Sequence, residues 1–417
     1  MNGRLWKSCI TLPNIRGICP FFIQGGNSLK VNDHLLNLSD SYLFSAIGQK
    51  VKEYRLKNPD CKIISLGIGD VTRPLVDEVV RSMEEAVAEM AAASTFRGYG
   101  DEQGYLFLRQ AICGYYAKKN VCLHEDEVFI SDGAKSDLGN ILDIFSEDNT
   151  VLIPDPSYPV YADSNMMAGR NIVSAKGNIE NGFLPLPDPE IRPDLIYLCS
   201  PSNPTGAVYT REELKLWVEY ALSNSAVILF DAAYEAFVHD PSLPTSIYQV
   251  EGAKECAIEF CSLSKTAGFS GVRCGYTVVP QELVRDGVSL NRLWLRRQTT
   301  KFNGVSYIVQ RGAAAVFTYA GLAQVKENIA YYMENARLIA QKLDQLGIWH
   351  VGGENAPYIW LKCPDSMSSW DYFEYLLSSF QIVGTPGAGF GAQGEGFFRF
   401  SSFGSRENIL EAMARLS

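Results

Sequence analysis

Seven apolar runs alternate with helical segments through the middle of the chain. Each run is apolar throughout rather than at every second position. This pattern predicts strands that are covered on both faces, as in a mainly parallel α/β sheet. The predicted strands are residues 128–131, 151–154, 172–175, 195–199, 226–231, 257–262 and 275–279.

The C-terminal part of the chain follows a different pattern. A long amphipathic helix is predicted over residues 321–346, followed by strands near 358–361 and 397–401 and a closing helix from Arg406. We therefore expect a smaller α+β lobe after the sheet. A further amphipathic helix is predicted near the start of the folded pattern, over residues 44–56.

Composition argues against several classes of protein. The 417 residues carry a net charge of −10, so neither nucleic acid nor an anionic membrane is expected as the main partner. No run of about 18 apolar residues occurs, so no membrane span is expected. The ten cysteines form no Cys-x-x-Cys pair and the four histidines show no metal spacing. These features favour reduced thiols in a cytoplasmic protein without a metal site.

Residues 1–32 stand apart from the folded pattern. They contain four basic residues and no acid, which is typical of a targeting segment, but Pro20 interrupts their short apolar run. A disordered arm or an upstream start explains the segment equally well. We treat it as an N-terminal extension and assign it no role.

Lys265 lies just after a predicted strand, within Ser262-Leu263-Ser264-Lys265, and Arg273 follows eight residues later. A lysine amine attacks an aldehyde only when it is uncharged, so its surroundings must lower its pKa. The hydroxyls of Ser262 and Ser264 and the guanidinium of Arg273 are donors that suit a phosphate. A reactive lysine beside a phosphate site is how proteins hold pyridoxal 5′-phosphate (PLP).

Two plainer interpretations of Lys265 remain open at this point. Most lysines are solvated surface charges. The spacing Ser262-x-x-Lys265 also matches the serine–lysine motif of penicillin-binding enzymes. That class carries Ser-Asp-Asn and Lys-Thr-Gly motifs as well, and neither occurs in the sequence.

Residues that suit the same cofactor follow other predicted strands. Asp231 closes an apolar strand, where a carboxylate can keep the pyridine nitrogen protonated, and Tyr234 can bind the 3-oxygen of the ring. Asn203 lies in a Pro-x-Asn-Pro-Thr-Gly turn and can donate to the same oxygen. A capping aspartate and a plain proline turn are the simpler explanations of these features taken alone.

Three more side chains complete the set. Lys135 adds charge to the segment 131–137, which joins a strand to a helix start, where free N–H groups favour phosphate. Tyr158 offers a ring that can stack on the pyridine. Arg399 is a charge among aromatic residues on a strand, and a cation so placed needs an anionic partner. A helix cap and a core tyrosine are the simpler explanations of the first two.

In this order, the motifs resemble those of the fold-type I, aspartate aminotransferase-like PLP enzymes. Cys274 departs from the aliphatic residue that usually follows the arginine in these enzymes. From about Asn37 onward the chain looks like the LL-diaminopimelate aminotransferases, with Ser136 and Asp101 as minor departures. The segments that carry this resemblance are Tyr42-Leu43-Phe44, Leu66-Gly67-Ile68-Gly69-Asp70, Gly98-Tyr99-Gly100-x-Glu102-Gln103-Gly104-Tyr105, Phe230-Asp231-Ala232-Ala233-Tyr234-Glu235-Ala236-Phe237 and Thr300-Lys301-Phe302-Asn303-Gly304.

The resemblance implies a fold, a cofactor and a reaction. The fold is a large PLP-binding domain over residues 61–305, with a mainly parallel seven-stranded sheet, and a small α+β domain made of residues 33–60 and 306–417. The reaction is PLP-dependent transamination between LL-2,6-diaminopimelate and 2-oxoglutarate, giving tetrahydrodipicolinate and glutamate, and it runs in reverse for lysine biosynthesis. The family also implies a homodimer whose active sites are shared across the interface, with Glu102 meeting the distal ammonium of diaminopimelate in the neighbouring subunit.

The resemblance also assigns roles to individual residues. The implied catalytic residues are Lys265, Asp231 and Tyr234. The implied cofactor-binding residues are Tyr99, Ala134, Lys135, Tyr158, Asn203, Asp231, Tyr234, Ser262, Ser264, Lys265, Arg273 and Asn303. The implied substrate-binding residues are Tyr42, Gly69, Glu102, Lys135, Tyr158, Asn203, Asn303 and Arg399.

Three rival functions are carried forward. The nearest is another class I/II aminotransferase with an aspartate, aromatic or lysine-derived substrate. A PLP-binding regulator without turnover needs a DNA-binding module, for which residues 1–32 are too short and irregular. A nicotinamide-binding protein needs Gly-x-Gly-x-x-Gly after its first strand, and Gly67-Ile68-Gly69 lacks the third glycine.

Overall fold

The continuous apolar runs form one seven-stranded sheet in the structure, a computed structural model that describes residues 29–38, 43–67 and 69–416. The strands of the described residues are β1 Ile64–Ser65, β2 Val128–Ser131, β3 Thr150–Asp155, β4 Asn171–Lys176, β5 Leu195–Cys199, β6 Val227–Asp231, β7 Ala257–Ser262, β8 Gly275–Val278, β9 Val284–Arg285, β10 Val288–Ser289, β11 His350–Gly352, β12 Tyr358–Lys362, β13 Ile382–Val383, β14 Thr385–Pro386 and β15 Phe397–Ser401.

Helices connect most of these strands. The α-helices of the same residues are α1 Leu43–Lys57, α2 Asp77–Met90, α3 Leu106–Ala117, α4 Ala134–Asn140, α5 Val160–Met167, α6 Arg211–Ser223, α7 Leu263–Thr266, α8 Leu290–Lys301, α9 Tyr307–Val316, α10 Tyr319–Gln345, α11 Ser369–Tyr375 and α12 Arg406–Arg415. Shorter helical turns lie at Asp33–Asn37, Glu125–Glu127, Ile141–Ile144, Glu235–Phe237, Ile247–Gln249, Ala253–Glu255, Pro364–Ser366, Leu376–Phe380, Gly387–Phe390 and Ala392–Gly394.

The central sheet has the strand order β2-β8-β7-β6-β5-β3-β4. Only β8 runs antiparallel to its neighbours, and the other adjacent pairs are parallel. All seven predicted strands are present, which confirms the mainly parallel α/β sheet. The carboxyl ends of its parallel strands meet at one edge, which places Asp231 at the end of β6 close to Ser262 at the end of β7.

Both faces of the sheet are buried, as continuous apolar runs require. Along β5, Ile196 and Leu198 belong to one hydrophobic core, while Leu195 and Tyr197 belong to a second core on the opposite face. Every residue of β5, β6 and β7 is buried. Alternating exposure along these strands would have left one face to water, and the sequence pattern excluded that arrangement.

A second sheet of four strands, in the order β11-β12-β15-β14, is built from the C-terminal part of the chain and includes both strands predicted there, β12 and β15. Helix α1 packs on this part. The Phe44 ring lies edge-on to Phe390 with 6.5 Å between their centroids, and Lys50 forms an ion pair with Glu374 on α11. The described residues from His34 onward belong to one compact unit. The division into 61–305 and the remainder stays a prediction.

Several elements differ from the expectations or lie beyond them. The short strand β1 pairs with β13 and lies outside the central sheet. The sequence pattern did not predict α8 or α9. Residues 1–28 of the predicted N-terminal extension lie outside the described residues. Within the described part of the chain, no helix combines the length and apolar character needed to cross a bilayer.

Candidate active site

The carboxyl end of the central sheet opens into a cavity of about 630 Å³. Twelve of the predicted site residues line it, although they are spread from position 69 to position 399 of the chain. They are Gly69, Ala134, Lys135, Tyr158, Asn203, Asp231, Tyr234, Ser262, Ser264, Lys265, Arg273 and Arg399. The fold therefore gathers most of the set proposed from the sequence around one space.

Lys265 lies in the one-turn helix α7, directly after β7. The Ser262 hydroxyl caps this turn by accepting the N–H of Ser264 at 3.1 Å. Burial lowers the pKa of the Lys265 amine to about 8, while Asp70, 3.9 Å away, opposes the shift. The amine donates a hydrogen bond to the carbonyl of Gly69. The lowered pKa raises the neutral fraction of the Lys265 amine near physiological pH, as a nucleophile or base requires.

The lowered pKa of Lys265 makes its reactivity a test of the site. In the apoprotein, acetylation of Lys265 is expected to rise with pH and level off above about pH 8, because the amine is then uncharged. Lys215, whose side chain is 65% exposed, is acetylated in the same samples and is the internal control. Mass spectrometry of both peptides gives the two profiles. A Lys265 profile that follows that of Lys215 would contradict the assignment.

Asp231 is a buried carboxylate with spare hydrogen-bonding capacity. It is 5% exposed and accepts hydrogen bonds from the Tyr161 hydroxyl at 2.6 Å and from the N–H of Ala233 at 3.0 Å. Burial raises its pKa, and these two hydrogen bonds work in the opposite direction. A carboxylate has about four acceptor positions, so a cationic N–H in the cavity would find a free acceptor here.

The donors predicted for a phosphate converge on another part of the cavity. Gly133 precedes α4 with a φ of +135°, and a Cβ at that position would lie 2.5 Å from the Arg273 guanidinium. Glycine is needed there because a side chain would displace the arginine. Arg273 itself has a φ of +66° and donates to the Ser264 hydroxyl at 3.4 Å. A strained backbone of this kind is typical of functional sites.

Arg399 is a buried cation that pairs with neutral groups. It is 1% exposed, and it donates to the side-chain oxygen of Asn203 at 2.6 Å and to the carbonyl of Gly67 at 2.9 Å. Its Cζ lies 4.3 Å from the ring centroid of Tyr358 and 4.9 Å from that of Phe390. Among the described residues it has no carboxylate within 4.0 Å, and its Nε has no hydrogen-bond partner. The cavity wall therefore carries a positive charge suited to an anionic ligand.

Tyr99, Glu102 and Asn303 do not line the cavity of this chain. Tyr99 is 92% exposed, and Asn303 is exposed as well. Their two loops are neighbours, since the Asp101 carbonyl oxygen lies 3.4 Å from where a Cβ on Gly304 would be. The N–H of Tyr105 donates to Gln310 on α9 at 2.8 Å and so fixes the first loop outside the cavity. The predicted roles of these residues remain predictions, and Tyr42 lies outside the described residues.

Comparison with known proteins identifies the family. Residues 61–416 match the model of the family described as aminotransferase class I and II. The chain belongs to the class I and II aminotransferases. This aminotransferase is 54% identical over 402 residues to the LL-diaminopimelate aminotransferase of Parabacteroides distasonis, covering 93% of this chain and 98% of that protein.

Solved structures agree with this assignment. L,L-diaminopimelate aminotransferase from Chlamydomonas reinhardtii has a TM-score of 0.88 at 42% identity, covering 94% of this aminotransferase and 98% of that chain. A mutant aspartate aminotransferase from Thermus thermophilus has a TM-score of 0.82 at 22% identity, covering 93% and 99% of the two chains, and supports the fold alone. The predicted aspartate aminotransferase-like fold is confirmed.

Several residues of this aminotransferase that face the site escaped the sequence analysis. Tyr161 donates to Asp231, and Tyr358 and Thr385 line the cavity. Tyr161 lies three residues after Tyr158, and the local sequence does not show that both tyrosines reach the site. Tyr358 begins the apolar run Tyr358-Ile359-Trp360-Leu361, whose pattern is that of an ordinary core strand. Contact with Asp231 or with the cavity, rather than the local sequence pattern, distinguishes these three residues from ordinary core residues.

Proposed function

We propose that this aminotransferase exchanges an amino group between LL-2,6-diaminopimelate and 2-oxoglutarate, with PLP as its cofactor. The observation that carries the proposal is one cavity that holds both the low-pKa amine of Lys265 and the guanidinium of Arg399, which has no carboxylate partner among the described residues. The names of the two relatives at 54% and 42% identity support the choice of amino acid. In the reverse direction the products would be LL-diaminopimelate and 2-oxoglutarate.

The donors and acceptors of the cavity fit PLP. The serine hydroxyls, Arg273, Lys135 and the N–H of Ala134 suit a phosphate, and Asp231 suits a protonated pyridine nitrogen. Asn203 and Tyr234 suit the 3-oxygen, and the ring of Tyr158, which lines the cavity, suits stacking on the pyridine. When bound, PLP supplies an electron sink that loosens the bonds at the α-carbon of the substrate. The cavity of about 630 Å³ lies within the usual range of small-molecule sites.

Each end of the cavity contributes to catalysis in a different way. Arg399 binds the α-carboxylate of the substrate through two parallel hydrogen bonds and so orients the α-carbon. The neutral Nζ of Lys265 takes the proton from that α-carbon as a general base and later returns a proton as a general acid. Asp231, held by Tyr161, keeps a negative charge next to the pyridine nitrogen.

We propose a homodimer in which the loop carrying Tyr99 and Glu102 completes the site of the partner copy. The support is that this loop lies outside its own cavity and exposes large apolar side chains, with Phe96 61% and Tyr99 92% exposed. Large apolar side chains exposed on one segment often mark an interaction surface. The Glu102 carboxylate would then meet the distal ammonium of diaminopimelate.

We also propose the division into a large domain, residues 61–305, and a small domain, residues 33–60 and 306–417. The central sheet lies within the first range and the four-stranded sheet within the second. Residues of both ranges line the cavity, with Arg399 on β15 facing the group around Lys265 on α7. A substrate bound between the two ranges would contact both of them.

Glu102→Gln tests the substrate assignment. The variant is expected to lose about 10- to 100-fold in kcat/KM for LL-diaminopimelate, because the distal ammonium loses its charged partner. Activity with glutamate, which has no distal ammonium, should change by less than about threefold. Steady-state assays with each amino donor, including meso-diaminopimelate, give the comparison.

Asp101→Asn is the matched control for this experiment, because it removes the neighbouring carboxylate of the same loop. It is expected to leave both activities close to those of the wild type. An equal loss with both amino donors in Glu102→Gln would favour the rival assignment, an aminotransferase with an aspartate, aromatic or lysine-derived substrate.

A further inference from the structure

Tyr358, the first residue of β12, touches three parts of the candidate active site. Its hydroxyl lies 2.7 Å from that of Tyr234, and its ring centroid lies 4.3 Å from the guanidinium carbon of Arg399. The same hydroxyl lies 2.9 Å from where a Cβ on Gly69 would be, and the carbonyl of Gly69 accepts the hydrogen bond of Lys265. Tyr358 is 1% exposed, so these contacts are shielded from bulk water.

The direction of the hydrogen bond between Tyr358 and Tyr234 depends on the second hydrogen-bond partner of Tyr234. Each phenol carries one proton and can donate one hydrogen bond. If Tyr234 donates its proton to the 3-oxygen of the cofactor, it can only accept from Tyr358. Burial raises the pKa of both phenols, so both keep their protons at neutral pH. Tyr358 is then the donor of the pair.

We propose that Tyr358 is a positioning residue that joins the cofactor end of the site to the substrate end. This inference rests on the proposed function. Its hydroxyl donates to Tyr234, and a hydroxyl that accepts a hydrogen bond becomes a stronger donor, which strengthens the bond from Tyr234 to the 3-oxygen. Its ring supports the guanidinium of Arg399 through a cation–π contact, in the orientation needed to bind a carboxylate.

The hydroxyl and the ring of Tyr358 are therefore expected to have separable effects. The hydroxyl acts on the electronic state of the cofactor, and the ring acts on binding of the substrate carboxylate. An ordinary core residue of β12 would affect only the stability of the fold. The pH midpoint of the cofactor chromophore and the KM for the amino acid distinguish a positioning residue from an ordinary core residue, because loss of stability alone changes neither quantity.

Tyr358→Phe in the holoenzyme tests the hydroxyl. The pH midpoint of the visible chromophore is expected to move up by roughly half a pH unit, because the deprotonated form carries more charge on the 3-oxygen and loses more from a weaker hydrogen bond. The KM for the amino acid should stay within about twofold of the wild type. Tyr358→Leu should show the same shift and also raise that KM about tenfold, because the ring under Arg399 is gone.

Tyr209→Phe is the matched control. Tyr209 is also 1% exposed, and its hydroxyl donates to the carbonyl of Pro185 at 2.9 Å outside the cavity. Its loss is expected to lower the thermal midpoint of the protein while leaving the chromophore midpoint unchanged. In a Tyr234→Phe background, Tyr358→Phe should add no further shift, since the receiving hydroxyl is absent.

An unchanged or lowered chromophore midpoint in both Tyr358 variants would overturn this inference alone, because the wild-type chromophore would still support PLP binding. A wild-type protein without any visible chromophore would overturn the proposed function and this inference with it. The two failures are therefore distinguishable in one set of spectra.

Discussion

Lys265→Ala is expected to lower transamination by about 10,000-fold or more and to abolish the visible chromophore of the holoenzyme. The variant removes the amine that would hold the cofactor and also the base that moves the α-proton, and each loss alone is worth orders of magnitude. Burial has already lowered the pKa of this amine to about 8, a shift that an exposed lysine would lack. Activity assays and absorbance spectra measure the two effects separately.

Lys265→Arg separates the charge of Lys265 from its chemistry. Arginine keeps a positive charge but cannot act as a neutral amine at physiological pH. We expect this variant to be as inactive as Lys265→Ala. Both should keep thermal midpoints near that of the wild-type apoprotein, because the Gly69 carbonyl that accepts from Lys265 lies at a cavity rather than in a packed core. Activity retained in either variant would show that another residue carries the reaction.

Arg399→Lys is expected to reduce kcat/KM by about 100- to 1,000-fold, mostly through a higher KM for both amino donors and keto-acid acceptors. Lysine preserves the charge but loses the planar pair of donors that grips a carboxylate. It also removes the guanidinium that lies over the rings of Tyr358 and Phe390. Because amino acids and keto acids both carry the α-carboxylate, the loss should be similar for both halves of the reaction.

Arg406→Lys is the control for Arg399→Lys. Arg406 also faces an aromatic ring, with its Cζ 5.0 Å from the centroid of Tyr331, and its Nε donates to Asn335. It does not line the cavity, so its replacement should leave KM unchanged. If Arg399→Lys changed kcat alone, with KM as in the wild type, Arg399 would not be the carboxylate-binding residue.

The central sheet was predictable from the sequence because burial on both faces leaves a local signature. Strands such as β5 and β6 are apolar at nearly every residue, and a run of that kind has few other stable environments. Helices α8 and α9 were not predicted. The sequence of α8, Leu-Asn-Arg-Leu-Trp-Leu-Arg-Arg-Gln-Thr-Thr-Lys, is charge-rich, and only four of its residues are buried. Its position depends on tertiary contacts, such as Trp294 in the second core.

The candidate site was predictable where a residue closes a strand or lies in a distinctive turn. Asp231 ends one buried strand and Lys265 follows another, and the structure gathers them at one cavity. Tyr358 was missed because its role comes from Arg399, which lies 41 positions away in the chain (358 to 399), and from Tyr234 on another element. The role proposed for Glu102 illustrates the opposite limit, since a residue that would act in the site of a partner copy cannot be recognised from the cavity of its own chain.

Reduction of the holoenzyme with borohydride, followed by peptide mapping, tests most directly whether Lys265 carries the cofactor. Borohydride makes the bond between a pyridoxal carbonyl carbon and a lysine amine permanent, so the modified residue can be found by mass. We expect a phosphopyridoxyl group on the peptide that contains Lys265 and on no other peptide. The same group on Lys135, which also lines the cavity, or on no lysine at all, would contradict the proposed chemistry.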